Sequence, residues 1–263
     1  MVLELREPSR RTSLCPSERE KKAAGESAIV RPDDAADSLE AFHQRLRDLC
    51  ENHRECHGPE RAGRIRAQAE QALALARELG VLKEPDFTWE EFRTLSTEFR
   101  IGTEHMVELD ARSGMVGKTT LPPAFGLIPE VVNLPLAEVR PDADRKGFRQ
   151  AIEFLNATPL EYLARWIACN EVFGDQVKLA AVIRWTDGLV SFGITQPQYH
   201  GTPADPREIE GLFLKAGWSR LADPSGHTVF FNHAFGVLAI DAERRNCFVN
   251  DGVIDFLSDC AHP

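Results

Sequence analysis

The spacing of apolar residues changes character along the chain, and the changes mark out its organisation. Residues 1–37 show no hydrophobic period and are dominated by Arg, Ser, Glu and Lys. Such a stretch buries too little apolar surface to offset the entropy of ordering, so a disordered leader is expected there. Leu39, Phe42, Leu46 and Leu49 then fall at helical spacing behind Ser38, which predicts an amphipathic helix over 38–53. Ile65, Ala69, Leu73 and Ala76 predict a second helix over 61–79 that stops at Gly80, and Thr88 caps a third carrying Trp89, Phe92 and Leu95. Together these read as a small helical module over 38–98 with no recognisable chemistry.

From residue 99 the pattern becomes mixed. Met106–Leu109 and Met115–Thr119 are short extended segments around an Asp110–Gly114 turn, a hairpin by its turn residues. The proline-rich stretch 121–141 excludes regular helix. Thr158-Pro159-Leu160-Glu161 combines an N-cap, a proline at the first helical position and a glutamate placed for a capping box, predicting a helix to about Phe173 before Gly174. A second hairpin follows, Leu179–Trp185 and Leu189–Thr195 around Asp187-Gly188, ended by Gln196-Pro197-Gln198. Asp205-Pro206 starts another helix, and 228–232, 236–240, 247–249 and 253–256 are short strands, the last pair joined at Asn250-Asp251-Gly252. Hairpin, helix, hairpin, helix and then short strands is an α+β order.

Charge and cysteine content narrow the setting. Lys+Arg 31 against Asp+Glu 41 leave a net charge of −10, the wrong balance for a protein that tracks a phosphate backbone, so no nucleic-acid partner is expected. No apolar run is long enough to span a bilayer and no apolar segment follows the basic residues at the start, so neither a membrane nor export is expected. The cysteines are scattered without a CxxC pair and read as reduced thiols of a cytoplasmic protein. Cys50, Cys56 and His57, with His53 nearby, fit no zinc-ligand spacing.

The candidate chemistry lies toward the C-terminus. Asp241 and Asn246 form an Asp-x-x-x-x-Asn step after the apolar run Val237–Ile240, and Asp255 follows Val253-Ile254. Phosphoryl transfer needs a carboxylate near the attacking group, an oxygen ligand for magnesium and a second carboxylate bridging the metal to phosphate, and this spacing supplies those groups. Upstream, Lys118 sits on the second strand of a hairpin whose start, Ile101–Val107, can fold over phosphates. Glu171 lies four residues beyond Ile167, on what reads as the apolar face of the 158–173 helix with Leu160 and Leu163. A carboxylate facing a core needs a cation, and Lys118 is the candidate. Glu161 is accounted for by its cap.

These residues resemble the kinase-like domain of phage and mobile-element polyvalent proteins. The resemblance runs through Gly102-Thr-Glu-His105, Lys118, Ala157–Tyr162, Asn170–Asp175, Thr195–Gln198, Gly217-Trp218 and Asp241…Asn246…Asp255, over roughly 99–259. It implies a reduced protein-kinase-like fold over 99–263, with an antiparallel N-lobe sheet and a small C-lobe, preceded by the helical module. On that reading ATP and Mg2+ are the cofactors. Asp241, Lys118 and Glu171 are catalytic, and Asn246 and Asp255 hold the metal. Gly102, Glu104, His105, Lys118, Gln196 and Gln198 contact the nucleotide, the two glutamines through hinge backbone groups at the adenine.

Ala239-Ile240-Asp241 stands where kinases carry His-Arg-Asp, Asp255-Phe256-Leu257 replaces Asp-Phe-Gly, and only Gly102 is left of the glycine-rich loop. Residues 256–263 leave no room for an activation segment or peptide-gripping helices. The expected activity is ATP·Mg-dependent transfer of the γ-phosphate to an unidentified acceptor. The alternative is a weak or inactive kinase-like binding module whose 38–97 helices dock a protein partner, and a metal-dependent hydrolase using the same carboxylates is a third reading.

Overall fold

The computed structural model describes residues 39–95, 100–110, 113–135, 148–221, 228–240, 242–250, 253–256 and 259–261. The expected leader, 1–37, lies outside them, and so does Asp241. The helical periods appear as α1 (Leu39–Glu51), α2 (Arg61–Leu79) and α3 (Trp89–Leu95). Gly80 ends α2 in the left-handed region at φ 73, where a side chain would be strained. A two-residue strand, β1 (Leu82–Lys83), separates α2 from α3.

The main sheet is mixed. Strands β2 (Arg100–Ile101), β3 (His105–Asp110) and β4 (Met115–Thr120) run as an antiparallel ribbon. After helix α4 (Pro159–Phe173) come β7 (Lys178–Arg184) and β8 (Val190–Pro197), and β8 returns beside β4 to give the order β1-β7-β8-β4-β3-β2. Only β1 runs parallel to its neighbour, β7, among these pairs. Helix α4 starts as its sequence dictates: Thr158 accepts from the Glu161 N–H and Glu161 accepts from the Thr158 N–H. Glu161 also receives Arg61 at 2.7 Å, tying the start of α2 to the start of α4.

Between β4 and α4 the chain forms a hairpin that the sequence pattern did not predict, β5 (Leu127–Pro135) with β6 (Phe148–Asn156). Pro129 and Pro135 sit in its first strand. A two-stranded ribbon consists only of edges, so a residue without an N–H is tolerated on its outward side. The C-terminal half adds β9 (Thr202–Pro203), α5 (Pro206–Lys215), β10 (Ser219–Leu221), β11 (Val229–Asn232), β12 (Val237–Ile240), β13 (Cys247–Asn250), β14 (Val253–Phe256) and β15 (Asp259–Ala261). These form an antiparallel sheet β10-β11-β12-β15 and a smaller one β14-β13-β9. The architecture is α+β.

The helices expected to stand apart as a module do not. Leu39, Phe42 and Leu46 of α1 and Leu75 of α2 belong to the same buried cluster as Tyr162 and Trp166 of α4, Phe192 of β8 and Phe230 of β11. The Phe42 and Phe192 rings meet edge to face at 6.2 Å. An amphipathic period states that one face will be covered without saying by what, and here the cover is the main sheet and α4. The faces proposed for partner docking are thus largely spent inside the protein. Helix α3 caps a second cluster, in which Trp89 and Trp185 pack at 5.4 Å. Cys50, Cys56, Cys169 and Cys247 are buried. Among the described residues no helix is long and apolar enough to cross a membrane.

Candidate functional site

Period-two geometry builds the floor of the site. His105 and Val107 on β3, Val116 and Lys118 on β4, and Gln196 on β8 occupy alternate or directly opposed positions, so they share one face of the sheet. They line a cleft of about 420 Å3, within the usual range for a small-molecule site. Gly102 and Glu104, on the turn between β2 and β3, and Gln198, just past β8, line it too. From the other half come Arg245, Asn246 and Phe248, around the start of β13. Seven sequence candidates therefore converge: Gly102, Glu104, His105, Lys118, Gln196, Gln198 and Asn246. Asp255 is placed by its backbone, as the register partner of Phe248.

Glu171 is the exception. The buried stripe of α4 is Tyr162, Leu163, Trp166, Cys169, Val172 and Phe173, whereas Leu160, Ala164 and Ile167 are only half-buried and Glu171 is exposed. Of the expected inward stripe, Leu160, Leu163 and Ile167 leading to Glu171, only Leu163 is fully buried, because this helix is rich in apolar residues on more than one face. The expected Lys118–Glu171 pairing is corrected accordingly. The Lys118 ammonium lies 4.7 Å from the centroid of the Trp166 ring, a cation–π contact from the same helix. Trp166 also presents a buried indole N–H with no hydrogen-bond partner, and the residue lines the cleft.

A buried ion pair sets the back of the site, and sequence reasoning missed it. Arg165 donates to Glu104 at 2.7 Å with side-chain exposures of 4% and 14%. Arg165 Nη1 also donates to the Leu127 carbonyl at 2.6 Å, and Glu104 accepts from the Leu127 N–H at 3.1 Å. Three elements, the β2–β3 turn, α4 and the start of β5, are thereby clamped together. Gly126 completes the clamp: its φ is 80, and a Cβ there would lie 2.5 Å from a Glu104 carboxylate oxygen. Glu104, expected to contact nucleotide, is committed to this clamp and shapes the turn. The available signal was an arginine set between Ala164 and Trp166, inside the otherwise apolar run Tyr162–Cys169. The motif residues Asn170 and Asp175 are structural ties as well. The Asn170 carboxamide bonds both backbone groups of Val177, and buried Asp175 accepts from Tyr199, a cleft-lining residue.

His105 hydrogen-bonds the Tyr162 hydroxyl at 3.0 Å. Burial first, and then the positive charges of Lys118 and Arg165, hold its pKa well below the usual 6.5. The ring is therefore neutral at physiological pH and contributes no charge to the site. Because its folded pKa is depressed, the unfolded chain takes up the proton first as pH falls, so His105 stabilises the fold fully above pH 6.5 and progressively less below it. Stability is expected to fall between pH 7 and 5, with a limiting slope of about 1.4 kcal/mol per pH unit from this residue. His43, lowered by burial and by Arg47, acts in the same direction. Urea unfolding across that range should show a shallower slope for His105→Gln than for the parent; equal slopes would refute the assignment.

The electrostatics of the cleft run against those of the whole protein. Among the described residues Arg100, Lys118 and Arg245 line it with one carboxylate, Glu104, which is held by Arg165, and Arg245 also lies 3.7 Å from Glu243. On a chain of net charge −10, the described lining of this cleft is locally cationic. Among the described residues no group of three or more His, Cys, Asp or Glu side chains is gathered to hold a metal. Asn246 is the described oxygen donor of the expected magnesium set, and hard oxygen ligands suit that ion. A second cavity, of about 400 Å3, lies between α2 and residues 123–125; it is mainly apolar and contains none of the candidates. No family model, curated protein or solved structure matches the chain.

Proposed function

We propose that the cleft binds ATP with magnesium and that the protein is a kinase-like phosphotransferase. The observation that carries this reading is the cationic wall of Arg100, Lys118 and Arg245, set in an acidic protein where four separate segments, Gly102–His105, Lys118, Gln196–Gln198 and Asn246, meet. The strand order supports it. The lysine strand β4 lies directly beside β8, so Lys118 and Gln196 sit two residues apart diagonally across one ladder and both line the cleft. The resemblance to the polyvalent-protein kinase-like domain enters here as part of the proposal.

In this reading Lys118 and the Trp166 N–H hold phosphate oxygens, and Asn246 and Asp255 hold magnesium, which neutralises charge on the phosphates. Asp241 orients the acceptor hydroxyl and takes its proton as the new O–P bond forms and the bond from the γ-phosphorus to ADP breaks. One observation favours a weaker variant, a nucleotide-holding module with little turnover: Trp166, not the expected Glu171, lies beside Lys118. ATP is expected to raise the melting temperature, more strongly with magnesium, because a ligand bound only by the native state stabilises it. Asp255→Ala should lose the magnesium-dependent part of that shift. Transfer of labelled γ-phosphate to an acceptor in a cell extract separates turnover from binding alone. No shift with ATP under either condition would overturn both forms of the reading.

A further inference from the structure

The base end of the cleft contains a polar group with nothing to bond. Gln196 is 2% exposed and lines the cleft, and its Oε1 is buried without a hydrogen-bond partner. A buried acceptor left unsatisfied is costly, and in a native structure it calls for an explanation. The backbone next to it cannot serve in the expected way. Pro197 has no N–H, and the Gln198 N–H is already given to the Gly114 carbonyl at 2.8 Å. Of the two glutamines expected to read adenine through their backbone, Gln198 has therefore already given away its donor.

We infer that the Gln196 carboxamide is the specificity-determining group, and that it reads the exocyclic 6-amino group of an adenine base. This rests on the nucleotide reading of the cleft. Oε1 accepts an N–H from the base amine, while the amide nitrogen of the same planar group can donate to the adjacent ring nitrogen. Glutamine is suited to this donor–acceptor pairing with adenine. A site that buries an acceptor for a ligand N–H rejects analogues lacking that N–H more strongly than an apolar pocket rejects a shape change. Discrimination therefore resides in one side chain at the end of β8, and the phosphate end, with Lys118 and Trp166, is indifferent to the base.

The test uses the full chain with magnesium and three probes by calorimetry: ATP, purine riboside triphosphate, which lacks the 6-amino group, and inorganic tripolyphosphate. The parent protein should bind ATP about tenfold or more tightly over purine riboside triphosphate. In Gln196→Leu the two should bind alike, with tripolyphosphate affinity unchanged. The variant removes an unpaired buried acceptor for an apolar group of similar size, so its ligand-free melting temperature should be equal to or above the parent's. If ATP binds the parent but the amine makes no difference, or Gln196→Leu keeps the preference, the assignment is overturned while the nucleotide site stands. If no probe binds the parent, the nucleotide reading fails and the assignment fails with it.

Discussion

Replacing Lys118 with methionine is expected to weaken ATP by roughly 100-fold, about 3 kcal/mol. The effect follows from what the Lys118 ammonium would meet in the complex. In the free protein its ammonium rests on the Trp166 ring, a contact worth about 0.5–2 kcal/mol, and a methionine thioether packs on an aromatic ring nearly as well. In the complex the ammonium would meet phosphate oxygens in a partly desolvated cleft, and no group of the variant replaces that charge. Tripolyphosphate should be lost together with ATP, which places Lys118 at the phosphate end and distinguishes it from Gln196. Lys118→Arg is not a conservative control, because the larger planar guanidinium presents its donors as a fixed fork and not as a compact point charge. Retention of parent-like affinity for ATP and tripolyphosphate in Lys118→Met would remove the basis of the phosphate-site assignment.

The second large effect concerns folding. Arg165→Met should destabilise the protein by about 3–5 kcal/mol, since it leaves the Glu104 carboxylate beside Gly126 without its cation. The same change takes a hydrogen bond from the Leu127 carbonyl, so the start of β5 and the β2–β3 turn should loosen together. Neutralising the partner as well, in Glu104→Gln with Arg165→Met, should recover a substantial part of the loss. Urea midpoints for the two single variants and the double variant give the coupling directly. Additive losses, or a single-variant loss within about 1 kcal/mol, would show that the clamp does not hold these elements together.

Much of the fold was legible because its signals are local. Ser38 and Thr158 before apolar periods, Gly80 and Gly174 after them, and Asp187-Gly188 between two strands each report on a few adjacent residues, and the helices and hairpins built on them appear close to the expected bounds. The β5–β6 hairpin was not legible. Its prolines suppress strand signals, and what permits them is the absence of a third strand, a fact about neighbours. The strand β1 was hidden for a similar reason: Leu82–Lys83 carries no period and exists because β7 offers it an edge.

The site divides along the same line. Lys118 and Asn246 could be selected from residue type and position, since a strand amine and an Asp-x-x-x-x-Asn step have recognisable chemistry, whereas Gln196 entered only through the resemblance, as a hinge backbone contact. Trp166 and Arg165 could not, because their roles depend on which face of α4 turns inward. Leu160, Leu163 and Ile167 and the rival stripe through Tyr162 and Trp166 are both apolar enough to pack, and sequence alone does not rank them.

Composition and pattern by themselves determined an acidic α+β protein with its candidate chemistry beyond residue 100, since charge balance, caps and period-two spacing are written in neighbouring residues. Only the tertiary structure decided that the N-terminal helices share the core, that Glu104 belongs to a buried clamp and Glu171 to solvent, and that Gln196 holds an unmet hydrogen-bond acceptor. Each of these depends on what covers a given face, and cover comes from segments distant in the chain: α1 meets β8, Arg165 meets Glu104, and the Gln198 N–H meets Gly114.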